Sequence, residues 1–347
     1  MALLSYFNSV SQAMLQIFLL GLVGFVLVRK KILLSEAVTG LSSFLIGVAF
    51  PALIFWQLVT KFSFSLYPDW WIFPLASFII TGLGLCVGFL FSLSVKDARL
   101  RREFVSLVGF QNAGYLPLTL LAWIVPGGYR DILLIYLFLF LLGFNLVIWS
   151  WGVYFLSASK LKTFSFAGLF SPPVIAILLG FTFVSLKLNS LIPKFILQPI
   201  ELLGNCSFPL AVVVLGATLA ELSNYKPEGS GLPSDRQSHK PEGSGLPSDR
   251  QSHRPFEKKT IAKLILAKLI VLPSLGLLFV SSFRLPYLLG LLIIMELAVP
   301  SANSLAVIAR KYPEEEKLIS QGIFISHLVS LITLPVFLAL FHWIALR

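Results

Sequence analysis

The sequence predicts an all-α, multi-pass membrane protein, on three observations: its composition, the length of its apolar runs, and the absence of alternation within them. Of 347 residues, 57% are hydrophobic and 12% charged. The mean hydropathy is +0.88. A soluble domain has about 25% charged residues. The apolar runs are about 20 residues long, enough for a helix to cross a hydrocarbon core of about 30 Å, whereas barrel strands would be about 10 residues long and alternating. The net charge of +11 would suggest a nucleic-acid partner in a soluble chain; here it reports topology, and no nucleic acid is expected. The two cysteines, Cys86 and Cys206, both lie inside apolar runs. They offer neither a disulfide framework nor metal-ligand spacing, so no metal or cofactor is expected.

Ten spans are read between charged or turn-rich breaks. The first, near 9 to 29, ends on "VRKK" (Val28 to Lys31) with no basic residue before it. That is the reverse of a cleavable secretory signal, so it reads as a retained span with its N-terminus outside. The second, near 35 to 58, carries "FPALIFWQL" from Phe50, and the third lies near 70 to 96. The fourth, near 102 to 125, contains "QNAGYLPL" (Gln111 to Leu118), and the fifth, near 131 to 157, contains "FNLVIWSWGVYF". The sixth lies near 170 to 188; the seventh, near 193 to 222, carries "FPLAVVVLG" from Phe208. The eighth lies near 260 to 283, the ninth, near 286 to 310, contains "ELAVPSANS" (Glu296 to Ser304), and the tenth lies near 318 to 345. When each Lys or Arg is assigned to its nearest connection, 21 of 27 fall in odd-numbered connections. Those connections are expected in the cytoplasm and both termini outside a cell membrane.

The connection after span seven repeats "KPEGSGLPSDRQSH" without change, at Lys226 to His239 and Lys240 to His253. Its Pro, Gly, Ser and balanced charge cannot build a core, so residues 223–259 read as a flexible cytoplasmic linker. The two histidines fall in copied units, which argues against a designed metal site.

A weaker repetition relates residues 1–157 to 158–347. Pro51 to Pro117 is 66 residues; Pro209 to Pro300 is 91, or 63 without the 28-residue tandem insert. Five spans per half force the second copy to enter from the opposite side, giving inverted repeats. Spans four and nine then correspond, and each is interrupted at mid-membrane. Proline lacks an N–H and clashes with the preceding turn, and freed backbone groups are tolerated only inside protein or beside a wet cavity. A simple packed proline kink is the plain alternative. Broken helices would aim N-terminal amides, from near Pro117 and Pro300, at a small carboxylate. The candidate shell is Gln111, Asn112, Gly114, Tyr115, Pro117, Pro300, Ser301, Asn303 and Asn145, with Ser304 nearby. Glu296, costly in lipid, reads as a proton- or ion-coupling group or a neutral carboxyl. His327 is its candidate relay partner. Lys263 can snorkel to the interface, whereas Lys268 lies deeper and would need a carboxylate that the sequence does not identify.

"GFQNAGYLPLTL", "FNLVIWSWGVYF", "AVPSANSLAVIARKY" and "SHLVSLITLPVFL", in that order, resemble the auxin efflux carrier family in its bacterial or PIN-like branch. The resemblance implies two inverted five-helix repeats with helices four and nine broken and crossing, alternating access, and organic anions such as auxin, malate or malonate as cargo. It marks Asn112, Gly114, Pro117, Pro300 and Asn303 as crossover and substrate residues. Plant relatives carry their long cytoplasmic loop between the halves; here it falls between spans seven and eight.

The expected function is secondary transport of small organic anions. The partners admitted are the bilayer, a carboxylate substrate, H+ or Na+ as coupling ion, and a second copy of the chain. A sodium-coupled symporter and a membrane sensor with a transporter-like fold are the alternatives. No Walker loop, HExxH pair or hydrolase nucleophile motif is present, so an enzyme is not expected.

Overall fold

Helices joined by short turns make up the structure, a computed structural model that describes residues 2–125, 127–152, 156, 170–223, 258–310 and 317–346. The tandem repeat, nearly all of the expected linker and the expected boundary between the halves lie outside the described residues. In chain order the helices are α1 (Ala2–Arg29), α2 (Ser35–Phe44), α3 (Phe50–Lys61), α4 (Ile72–Ser92), α5 (Ala98–Gly109), α6 (Tyr115–Ile124) and α7 (Gly127–Val147). These are followed by α8 (Pro172–Ser185), α9 (Lys194–Asn205), α10 (Ser207–Ser223), α11 (Lys258–Ile265), α12 (Leu272–Phe283), α13 (Tyr287–Ala298), α14 (Ser304–Arg310) and α15 (Lys317–Ala345).

Among the described residues, seven continuous stretches are long and apolar enough to cross a membrane: Leu4–Arg29, Ser35–Lys61, Ile72–Ser92, Gly127–Gly152, Lys194–Ser223, Lys258–Phe283 and Leu318–Ala345. The protein is therefore a multi-pass membrane protein. Expected spans four, six and nine contain only shorter apolar helices, Tyr115–Ile124, Pro172–Ser185 and Tyr287–Ala298. A 12-residue half-helix such as α5 or α13 rises only about 18 Å, too little to cross alone.

Proline shapes several spans without ending them. The helices α2 and α3 are joined by a π-helical turn, Leu45–Ala49, and α11 and α12 by another, Leu266–Val271. Each ends two residues before a proline, Pro51 and Pro273. The missing N–H and the ring's clash with the fourth residue back are absorbed by an extra residue in the turn. Turns end elsewhere on left-handed basic residues: Lys31 after α1, Lys187 after α8 and Arg284 after α12, with φ of 58°, 57° and 47°.

Packing depends on small residues, as expected where lipid removes the hydrophobic drive between helices. On α1, Val10, Met14, Ile17 and Gly24 form a buried stripe, while Leu15, Leu19, Leu22 and Val26 face outward as a lipid-side stripe. The buried stripe meets α10 backbone to backbone: a Cβ on Gly24 would strike the Val213 carbonyl, and one on Gly216 would strike the Gly21 carbonyl. Farther along the chain, Gly84 and Gly88 of α4 lie against Gly109 and Val105 of α5. That contact holds the end of α5 in place.

Gly216→Val is expected to destabilise the protein in detergent by about 1–3 kcal/mol through overpacking. Gly82→Ala, where a Cβ meets nothing within 4 Å, is expected to be neutral or stabilising by up to about 1 kcal/mol. Thermal unfolding of the two variants side by side checks this.

Candidate functional site

The helix α5 starts where Asp97 caps it, its Oδ1 accepting from the backbone N–H of Arg99 at 2.9 Å and of Leu100 at 3.2 Å. It stops at Gly109, because Phe110 is extended (φ −98°, ψ 115°). Likewise α13 stops at Ala298, and Val299 is extended (φ −68°, ψ 152°). Val299 precedes a proline, whose ring disfavours the helical region for the residue before it. Two segments, 110–114 and 299–303, are thereby released from helix inside the protein.

Each gap supplies the hydrogen bonds the other lacks. Gln111 and Ser301 form an antiparallel bridge. The Asn112 N–H donates to the Pro300 carbonyl at 2.8 Å, and the Ala302 N–H donates to the Phe110 carbonyl at 2.9 Å. Three of the four carbonyls in the last turn of α5 are taken up. Its Ser106 carbonyl accepts from the Phe110 N–H at 2.9 Å, its Leu107 carbonyl from Ser301 Oγ at 2.7 Å, and its Val108 carbonyl from Lys268 Nζ at 3.2 Å. Buried backbone must be satisfied in this way, and here a second broken helix does it.

In front of the bridge lies a cavity of about 130 Å³. Gln111, Asn112, Gly114, Tyr115, Asn145, Asn303 and Ser304 line it, with walls from Phe50, Phe144, Ile148 and Trp149. Gln111 and Asn303 are 1% and 7% exposed. Gln111 Nε2, a donor, and Asn303 Oδ1, an acceptor, have no hydrogen-bond partner. The amides of the first turn of α6 have no intrahelical acceptors, and no side chain of its N-cap residue, Gly114, covers them. Asn145 Nδ2 is committed to the Leu141 carbonyl of its own helix at 2.8 Å. Asn112 Nδ2 lies 3.0 Å from His327 Nε2, and His327 Nδ1 lies 2.8 Å from the Ile323 carbonyl. A carbonyl only accepts, so Nδ1 carries the proton and Nε2 accepts from the Asn112 amide.

The candidate residues expected from sequence thus sort into three groups. Gln111, Asn112, Gly114, Tyr115, Asn145 and Asn303 share the cavity. Pro117, Pro300 and Ser301 are framework: Pro117 is the third residue of α6, where its missing N–H costs nothing, and Pro300 and Ser301 bind backbone. The helix α14 begins at Ser304, four residues beyond Pro300, because the intervening residues are used in the bridge. Glu296 and His327 are not joined: both His327 nitrogens are occupied, and neither Glu296 oxygen has a hydrogen-bond partner. Glycine is not forced at 114, where a Cβ would meet Phe50 and Leu141 at 3.8 and 3.9 Å.

The sequence reading missed Ser326, whose Oγ accepts from the Ser301 N–H at 3.3 Å, and the wall residue Phe50, which packs against Tyr115 with ring centroids 6.0 Å apart. Phe50 stands beside Pro51 in a motif matched by the other half, and that was the available signal.

Long apolar helices thus enclose two interrupted ones, with an amide-lined cavity at their meeting point. A family model described as membrane transport protein matches residues 9–166 and 157–338. The chain belongs to this family, which includes the auxin efflux carriers and PIN-like proteins, and it is a membrane transporter. Among proteins with curated descriptions, none matches the chain.

Ser301→Ala removes the hydroxyl that holds the Leu107 carbonyl and leaves that carbonyl buried without its partner. A loss of about 1–3 kcal/mol is expected, read as a lower midpoint in detergent unfolding. Ser301→Thr, which keeps the hydroxyl, should recover most of it.

Proposed function

We propose that this transporter carries small organic anions with a carboxylate head and a compact apolar body, by alternating access, and binds them in the cavity in front of the bridge. The observation that carries this reading is the unpartnered donor within it, Gln111 Nε2, beside the uncapped first turn of α6. A carboxylate accepts from the Gln111 amide and from the first-turn N–H groups, where the helix dipole adds about half a positive charge. The walls Phe50, Phe144, Ile148 and Trp149 suit an apolar body. Among the described residues no charged side chain lines this cavity, so the anion is held by dipoles and stays free to leave.

A second cavity, of about 450 Å³, is lined by Leu53 and Gln57 of α3, Trp123 of α6, and Arg130 and Asp131 of α7. The same three helices line the first cavity with Phe50, Tyr115 and Phe144. By the distribution of basic residues, the second cavity opens outside. The broken helices each complete a crossing as a pair of half-helices, and with Pro172–Ser185 they bring the count to ten, arranged as two inverted units of five.

The test is uptake of labelled indole-3-acetate and malonate by proteoliposomes, with binding measured in detergent. Gln111→Ala, which removes that donor, and Asn112→Ala, which removes a second amide from the cavity lining, should each weaken binding and flux at least about 10-fold, the loss of a hydrogen bond in a desolvated anion site. Wild-type flux in both variants would remove the site. Binding without flux in the wild type would favour a sensor.

A further inference from the structure

One pair of charged side chains lies buried away from the cavity and takes no part in it. Lys268 is 1% exposed and Glu296 0%. Lys268 sits in the π-helical turn Leu266–Val271 and Glu296 in the last turn of α13. The π-helical turn that carries Lys268 packs against α13, which carries Glu296; the two side chains make no direct ion pair, and both carboxylate oxygens lack a hydrogen-bond partner. Two formal charges in a membrane interior are costly and call for a role.

The position of the ammonium is informative. Lys268 Nζ donates to the Val108 carbonyl at 3.2 Å, in the last turn of α5. That is the negative end of a helix dipole, and a broken helix exposes it inside the protein. The same carbonyl faces α4, where a Cβ on Gly84 would stand 3.2 Å from it. One turn earlier on that face of α4, Thr81 is 0% exposed and its hydroxyl has no partner. A carbonyl at a helix C-terminus, a carboxylate with both oxygens free and a spare hydroxyl are all oxygen donors. Such donors suit a hard cation. Half-helix C-terminal ends in transporters are places where coupling cations settle.

We propose that Lys268 is a built-in cation: its ammonium occupies, at the C-terminal end of α5, the place a free monovalent cation would take, and Glu296 is the counter-charge. The wild-type protein therefore needs no sodium to hold its broken helices together. The consequence for transport, substrate movement without a sodium requirement, rests on the transport reading above; the binding statement does not. Removing the ammonium while keeping Glu296 should convert the position into a sodium site.

The experiment is equilibrium binding of ²²Na⁺ to the purified full-length protein, with unlabelled NaCl as competitor. Wild type should show no saturable binding. Lys268→Ala should bind saturably, at least about 10-fold above wild type and near one ion per chain, and be stabilised by NaCl against heating. Lys268→Ala combined with Glu296→Gln should lose that binding. Should Lys268→Ala not purify as a monodisperse protein, Lys268→Ser, which leaves a hydroxyl near the Val108 carbonyl, takes its place. Saturable Glu296-dependent binding by wild type, no binding by a folded Lys268 variant, or failure of both variants to fold even in NaCl would each overturn the proposal. Loss of carboxylate flux with sodium binding as described would count against the substrate reading alone, and the converse against the built-in cation alone.

Discussion

A peptide group cannot stay unpaired in a hydrocarbon interior, and this structure depends on how that constraint is met at one place. Gly109 and Ala298 end two helices inside the protein, and the freed carbonyls and amides are returned to each other across the Gln111–Ser301 bridge. Each gap would be prohibitively costly without the other. Their mutual pairing leaves only a few polar groups unspent, Gln111 Nε2 and Asn303 Oδ1 among them, and these line the cavity. Site and fold are therefore one feature.

The groups behind the bridge follow from the same accounting. Ser301 Oγ, Lys268 Nζ and the Phe110 N–H divide the last-turn carbonyls of α5 between them, while Gly84 and Gly88 let α4 approach closely enough to cover that end. A rigid rear and a neutral, partly unsatisfied front suit a carrier, which must bind its substrate and then release it. Among the described residues, charge is kept out of the front and placed at the rear.

Much of this was legible in the sequence because the physics is local. Apolar runs of membrane length gave the helical class, and amides beside glycine and proline inside spans four and nine located both interruptions. Val299 before Pro300 carried its own stop signal. What the sequence could not show depends on distant pairing. Asn112 and His327 are 215 residues apart, and no periodicity links them, so His327 was read toward Glu296 instead. Lys268 and Glu296 were both visible as costly, but only the fold shows the Lys268 ammonium on the Val108 carbonyl and packs its turn against the helix of Glu296. Pro300 read as a helix start because proline favours a first turn; in the structure the bridge takes that stretch, and α14 opens at Ser304.

The pairing of the two gaps is tested most directly by a disulfide across it. Gln111 and Ser301 face each other as a pair flanked by, but not sharing, the backbone hydrogen bonds. That geometry brings α-carbons to about 4.5 Å, within disulfide range. With the free cysteines Cys86 and Cys206 replaced by serine, Gln111→Cys combined with Ser301→Cys should oxidise to an intramolecular disulfide in native membranes and resist thiol labelling until reduced. Free thiols after oxidation, in a protein that is folded and membrane-inserted, would contradict the account.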